Sequence, residues 1–299
     1  MLLKIRTITA IAVLGLVLIS TPQVAGAEPL QLFVSILPQK YMVQQIGKQW
    51  VDVKVMVPPG AGPATYEPKP SQMATLMRCK IYFSVGVPFE KAWLPKISAT
   101  NPNMKLVATD QGIDKRPMVG HYHHEEQQHH NQAGDHDQLR DPHIWLSPPL
   151  IRKMAYTIYQ ALAQAMPEHS IELKQNLDLF EQSLDRIDQQ ILQLLSAVQG
   201  KHFLVFHPSW GYFADHYGLV QIPIEIQGKT PKPAELKQLI DQAKALQAKA
   251  IFVQPQFSKR SAQIIANAIG AQVIPADPLA EDLLDNLLQQ AERFQKAVW

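Results

Sequence analysis

Eight apolar side chains, Leu173, Leu177, Phe180, Leu184, Ile187, Ile191, Leu194 and Val198, recur four and three positions apart with no glycine or proline between them. That spacing predicts one unbroken helix from about Ser170 to Val198, stopped by Gly200. At 1.5 Å per residue such a helix is roughly 40 Å long, the height of two stacked lobes. Few folds accommodate it in mid-chain. Either it braces a lobe on each side, or its heptad pairs with a second copy as a coiled coil. The brace is expected, because a single helix inside an α/β chain more often packs on its own lobes. A rigid brace allows only small tilts, so the chain is not expected to shut like a hinged trap.

On both sides of this segment short apolar runs alternate with helical patterns. Strands are expected at Leu32–Ser35, Val51–Val57, Ile81–Val85 and Leu106–Ala108, then at Phe203–Phe206, Val220–Ile224, Ala250–Val253 and Gln272–Ile274. Helices are expected at Gln39–Ile46, Ser71–Met77, Ala234–Leu246 and Ser258–Ile269. Strand and helix in alternation mean βαβ units and parallel sheets, one per half, and the Val/Ile-rich runs suit strands covered on both faces. The halves also echo one another. Phe33-Val34-Ser35 leads to Pro38, Tyr41, Gly47 and a strand, as Phe203–Phe206 leads to Pro208, Tyr212, Gly218 and a strand. Proline early and glycine late are helix boundary signals. The fold class is therefore α/β with two lobes, at residues 28–169 and 200–299, linked by residues 170–199.

The N-terminus carries Lys4 and Arg6, an apolar run from Ile8 to Ile19, and Ala25-Gly26-Ala27. That is the layout of a secretory signal peptide, residues 1–27, cleaved after Ala27. The run is too short for a membrane span, and no cysteine follows the cleavage site to take a lipid, so a free periplasmic protein is expected. Lys and Arg are scattered and the charge is near neutral without the leader, which argues against a nucleic-acid surface. The lone Cys79 cannot form an internal disulfide, so stability has to come from packing, with Cys79 as a small buried hydrophobe.

A histidine-dense tract, His121, His123, His124, His129, His130 and His136, runs through residues 119–141 into Asp141-Pro142-His143-Ile144-Trp145. Polar and His-rich, it has no apolar area to bury, whereas His143 stands on a stiff Pro142 ahead of an apolar segment. Neutral imidazoles are ligands for borderline divalent metals. His207, in Phe206-His207-Pro208, and Asp277, in Ala276-Asp277-Pro278, each follow an expected strand. Strand carboxyl ends line the ligand crevice of parallel sheets, so both would face one cleft, with His143 meeting them from the first lobe. Two imidazoles and a carboxylate suit Zn2+ or Mn2+, completed by a fourth protein group or water. Trp145 and Trp210, beside two of these residues, are expected as cleft walls.

Together with Tyr66-Glu67-Pro68-Lys69-Pro70-Ser71, Phe206 to Gly218, Ile224 to Lys229 and Asp277-Pro278-Leu279-Ala280, these segments resemble the periplasmic zinc- or manganese-binding proteins of metal ABC importers, the ZnuA/TroA-like cluster. The resemblance spans the mature chain. It implies two Rossmann-like lobes, one backbone helix, a divalent metal between the lobes, a membrane permease as partner, and His143, His207 and Asp277 as ligands. One departure stands out. Where the family has a histidine ahead of x-Tyr-Glu-Pro, this chain has Ala64. Water or a loop imidazole, Glu67 or Tyr66, or a weaker site for another ion are the open explanations, the first being favoured. Glu225 is expected to fix its own loop, with orientation of an imidazole as the alternative.

Three functions compete. The favoured one is a monomeric, non-enzymatic binding protein that captures Zn2+, or Mn2+, and delivers it to an ABC permease. An exported metallohydrolase would use the same three ligands plus water, yet no H-E-x-x-H or comparable motif is present. An adhesin or structural protein would use the heptad helix to dimerise.

Overall fold

The computed structural model describes residues 28–118, 140–225 and 233–297. The expected leader, the histidine tract and Ile226 to Lys229 lie outside the described residues. Strands β1 (Leu30–Val34), β2 (Val51–Val55), β3 (Ile81–Ser84) and β4 (Lys105–Ala108) form one all-parallel sheet in the order β2-β1-β3-β4. Strands β5 (His202–Val205), β6 (Val220–Pro223), β7 (Ala250–Val253) and β8 (Gln272–Pro275) form a second in the order β6-β5-β7-β8. The echo between the halves is thus a repeated topology. Central β3 and β7 are buried along their whole length and edge strands β4 and β8 are largely exposed, as expected for sheets covered by helices on both faces.

In the first half the helices are α1 (Leu37–Gly47), α2 (Pro70–Leu76), α3 (Pro88–Thr100) and α4 (Pro148–Ala165). Then come α5 (Ser170–Leu195), α6 (Gly211–Tyr217), α7 (Pro233–Ala245), α8 (Lys259–Ile269) and α9 (Leu283–Ala297). The two boundary glycines act differently. Gly218 takes φ +72° and caps α6, a conformation that favours glycine. Gly47 is still helical and the left-handed residue is Lys48; a Cβ on Gly47 would fall 2.5 Å from Val51 Cγ1, so close approach of the next strand is what requires it.

The long helix α5 packs against α1, α4, α6 and α9 and is followed by a 3-10 turn at Ser196–Val198. Leu173, Leu177, Phe180, Leu184 and Ile191 are buried in the heptad register, but the last buried position is Leu195 rather than Leu194. A 3.6-residue helix drifts about 20° per heptad, which rotates Leu195 into the seam by the final turns. Burying each such side chain contributes about 1.5–3 kcal/mol, and here the stripe is consumed within one chain, which removes the basis for a heptad-paired dimer. One continuous apolar core runs from β1 and β3 through α4 and α5 to Phe203, Phe252 and Phe294 of the second lobe. A smaller core, with Leu204, Phe206, Ile251 and Val253, lies under α7 and α8 on the other face of the second sheet.

Candidate metal centre

In each sheet the chain reverses its winding between the two central strands, and the crevice opens at their carboxyl ends. In the first sheet that crevice is filled from within. The buried Glu90 carboxylate of α3 accepts from Ser35 Oγ at 2.5 Å, Val85 N at 3.0 Å and Gly86 N at 2.7 Å. Burial pushes the Glu90 pKa up, opposed by those hydrogen bonds. The corresponding crevice of the second sheet carries His207 after β5 and Gln254 after β7. Gln254 Oε1 accepts from His207 N at 3.2 Å, and its Nε2 donates to His207 O at 2.7 Å. Glu225, two residues past β6 and held by its N–H to Phe206 O at 2.9 Å, accepts the His207 Nδ1–H through Oε1 at 3.1 Å, while its buried Oε2 has no partner among the described residues. Glu225 therefore orients an imidazole, the alternative reading of its sequence, and was not among the expected site residues.

His143 reaches the same place from the first lobe. Asp141, 1% exposed, accepts from His143 N at 3.0 Å and from its Nδ1 at 2.7 Å through one oxygen, Oδ1. The Asp141 backbone is itself pinned by α6, since Tyr212 Oη donates to its carbonyl at 2.9 Å and accepts from Arg116 N at 3.0 Å. The His143 and His207 rings lie 5.2 Å apart, centroid to centroid, inclined by 69°. Both rings have Nδ1 committed to a carboxylate, which fixes the tautomer and leaves Nε2 as the donor atom. Phe257 stacks on His207 at 5.0 Å and holds its plane.

Burial depresses the His143 pKa below the ordinary histidine value, and the Asp141 charge and hydrogen bond oppose this without reversing it. Below about pH 6.5 the unfolded chain gains a proton here that the folded protein resists, so stability falls as pH drops through that value. Urea midpoints measured on either side of it will show that slope in the metal-free protein, and His143→Ala will flatten it; equal slopes in both would contradict the assignment.

Asp277, one residue past the Ala276 N to Val253 O hydrogen bond that prolongs β8, stands on the same sheet edge. It lines an interlobe cleft of about 170 Å³ with Ile36, Pro58 and Ala61 on one side and Gln256, Leu279 and Glu281 on the other. Lys40 of α1 pairs with Glu281 across the lobes at 2.5 Å. His143 and His207 are not among that cleft's walls, and among the described residues no group of three or more His, Cys, Asp or Glu is arranged to hold a metal ion. The structure thus brings the two imidazoles together and leaves Asp277 at the same end of that sheet, two strands away from His207, in the wall of a cleft that neither ring lines. Ala64 and Glu67 are exposed on their loop, and Tyr66 Oη is spent on Gln72 Oε1 at 2.7 Å.

The tryptophans are not cleft walls. Trp145 is fully buried and donates to Pro278 O at 2.7 Å, tying the two lobes, while buried Trp210 sits 5.2 Å from Phe294 in an aromatic cluster. Sequence reasoning did not single out Asp141, Gln254 or Gln256. Only Asp141 left a signal, an acid two residues before a candidate ligand and hence within reach of its ring.

The profile of the family described as zinc-uptake complex component A, periplasmic (ZnuA), matches residues 32–297. The high-affinity zinc uptake system protein ZnuA of Yersinia pestis is 28% identical over 268 residues, covering 84% of this chain and 83% of that protein. A crystal structure of ZnuA is 42% identical, with a TM-score of 0.82 over 90% of this chain and 99% of its own. The laminin-binding protein Lmb of Streptococcus agalactiae, 21% identical with a TM-score of 0.76 over 90% of this chain and 99% of its own, shares the fold.

Proposed function

The chain belongs to the ZnuA family of periplasmic zinc-uptake components, and from that premise we propose that it captures a divalent metal, Zn2+ first, between its lobes and passes it to the permease of an ABC-type importer. The observation that carries this reading is the pair of imidazoles from opposite lobes, 5.2 Å apart, each backed by a buried carboxylate. His143 and His207 supply Nε2 and Asp277 supplies a carboxylate oxygen. Water or an imidazole of the 119–141 loop completes the shell that Ala64 leaves short. Nitrogen donors with a single carboxylate fit Zn2+ best, and Mn2+ is the alternative cargo. Family membership places the chain among uptake components rather than hydrolases. Among the described residues no helix is long and apolar enough to cross a membrane. In this reading residues 1–27 direct export to the periplasm, the lobes are residues 28–169 and 200–299, and the protein acts as a monomer.

The test is a titration. Metal-free protein lacking residues 119–139 will keep one tight Zn2+ site, while losing the weaker sites of the tract. Tight binding that vanishes with the tract would overturn the cleft assignment.

A further inference from the structure

The carboxylates of Asp141, Glu225 and Asp277 are held in two different ways. Asp141 and Glu225 accept ring N–H groups and stand behind the imidazoles. Asp277 faces the interlobe cleft, and its Oδ1 alone carries two hydrogen bonds, from Leu279 N at 2.9 Å and from Gln256 Nε2 at 3.1 Å. Its Oδ2 has none among the described residues. Asn286 of α9 donates to the Asp277 carbonyl at 2.9 Å, so backbone and carboxylate are both fixed. Gln256 lies close to the first lobe, where a Cβ built on Gly62 would come to 3.8 Å from the Gln256 Cβ. A carboxylate with both lone pairs of one oxygen so occupied has only its other oxygen left to offer.

We propose that Gln256 is a positioning residue that restricts Asp277 to coordination through one oxygen and thereby biases the cleft towards Zn2+ over Mn2+. This rests on the reading of Asp277 as a ligand. Zn2+ is satisfied by four donors, with imidazole nitrogens and one carboxylate oxygen among them. Mn2+ favours oxygen-rich, higher-coordinate shells, for which the second carboxylate oxygen is an asset. Two hydrogen bonds on Oδ1 withhold that oxygen, and the peptide N–H of Leu279 alone withholds it less. The selectivity then follows from an amide that never touches the ion.

The experiment compares wild type, Gln256→Met and Asp277→Asn by competitive titration with Zn2+ and Mn2+, and by the visible spectrum of the Co2+-loaded proteins. Methionine keeps the length of the side chain and removes the donor. In Gln256→Met the Zn2+ to Mn2+ affinity ratio should fall about tenfold, the usual scale for losing a partner behind a ligand. The strong tetrahedral Co2+ absorption should weaken as the coordination number rises. An unchanged ratio, an equal loss for both metals, or an unchanged Co2+ spectrum overturns the proposal while Asp277→Asn still weakens Zn2+ binding. If Asp277→Asn binds Zn2+ with full affinity, the ligand assignment itself fails, and the role of Gln256 with it.

Discussion

Replacing His143 and His207 together with alanine is expected to lower Zn2+ affinity by more than about a hundredfold. Loss of a residue that merely orients a ligand already costs ten- to a hundredfold, and this change removes two donor atoms outright. It also strands Asp141 and Glu225, two buried carboxylates 1% and 3% exposed, without the ring N–H groups they accept, which costs the variant folding stability as well. Competition against a chromophoric chelator reads the change directly, with circular dichroism to show that the variant is folded. The single variants discriminate further. If the rings share one ion, either alanine removes most of the affinity and the double variant adds little. If losses are independent and small, the 5.2 Å approach of the rings is a packing contact and the centre lies elsewhere.

The same site shows what a sequence makes legible. Strand ends, and the residues one or two positions past them, follow from period and punctuation, so His207 and Asp277 could be placed on one sheet edge before any coordinates. The approach of His143 rested on a stiff proline and an apolar segment, and it holds because Asp141 and Tyr212 fix that segment against α6. What was not legible is long-range. Gln254 and Gln256 act across 47 and 21 positions of chain, on His207 and Asp277, and nothing local distinguishes them from surface glutamines. Trp145 and Trp210 were misplaced for a related reason. A large aromatic beside a ligand reads as a wall, yet the donor of Trp145 finds a partner 133 residues away and the ring of Trp210 is enclosed by the aromatic cluster. Helix α9 was not expected at all, although Leu283, Leu287 and Phe294 carry its spacing.

The expectation of small interlobe tilts gains a physical basis from these contacts. Trp145 to Pro278 and Tyr212 to Asp141 are buried hydrogen bonds between the lobes, and opening the lobes widely would strip both of their partners. The apolar core is continuous through α5. Across the cleft Lys40 and Glu281 form a partly exposed pair of little intrinsic strength, which adds little to the hold between the lobes.

The largest stability effect belongs to Phe294→Ala, expected to destabilise the protein by about 3–5 kcal/mol, the range for deleting a buried aromatic. Phe294 is fully buried on α9, with its ring 4.6 Å from Phe203, 5.2 Å from Trp210, 5.4 Å from Phe213 and 4.5 Å from Phe252. These partners come from β5, the turn before α6, α6 itself and β7, so no single shift can collapse the cavity. Retained volume is what drives the cost to the upper part of that range. Urea unfolding should show a lower midpoint with an unchanged slope. A loss below about 1 kcal/mol would mean that the aromatic cluster repacks and does not anchor α9. Zn2+ gives an independent check, because a ligand that binds only the folded state raises stability by RT ln(1 + [L]/Kd) whatever the starting stability. Saturating Zn2+ should therefore shift the unfolding free energy of wild type and Phe294→Ala equally. A smaller shift in the variant would mean that α9, which holds the Asp277 carbonyl through Asn286, also sets the geometry of the metal centre.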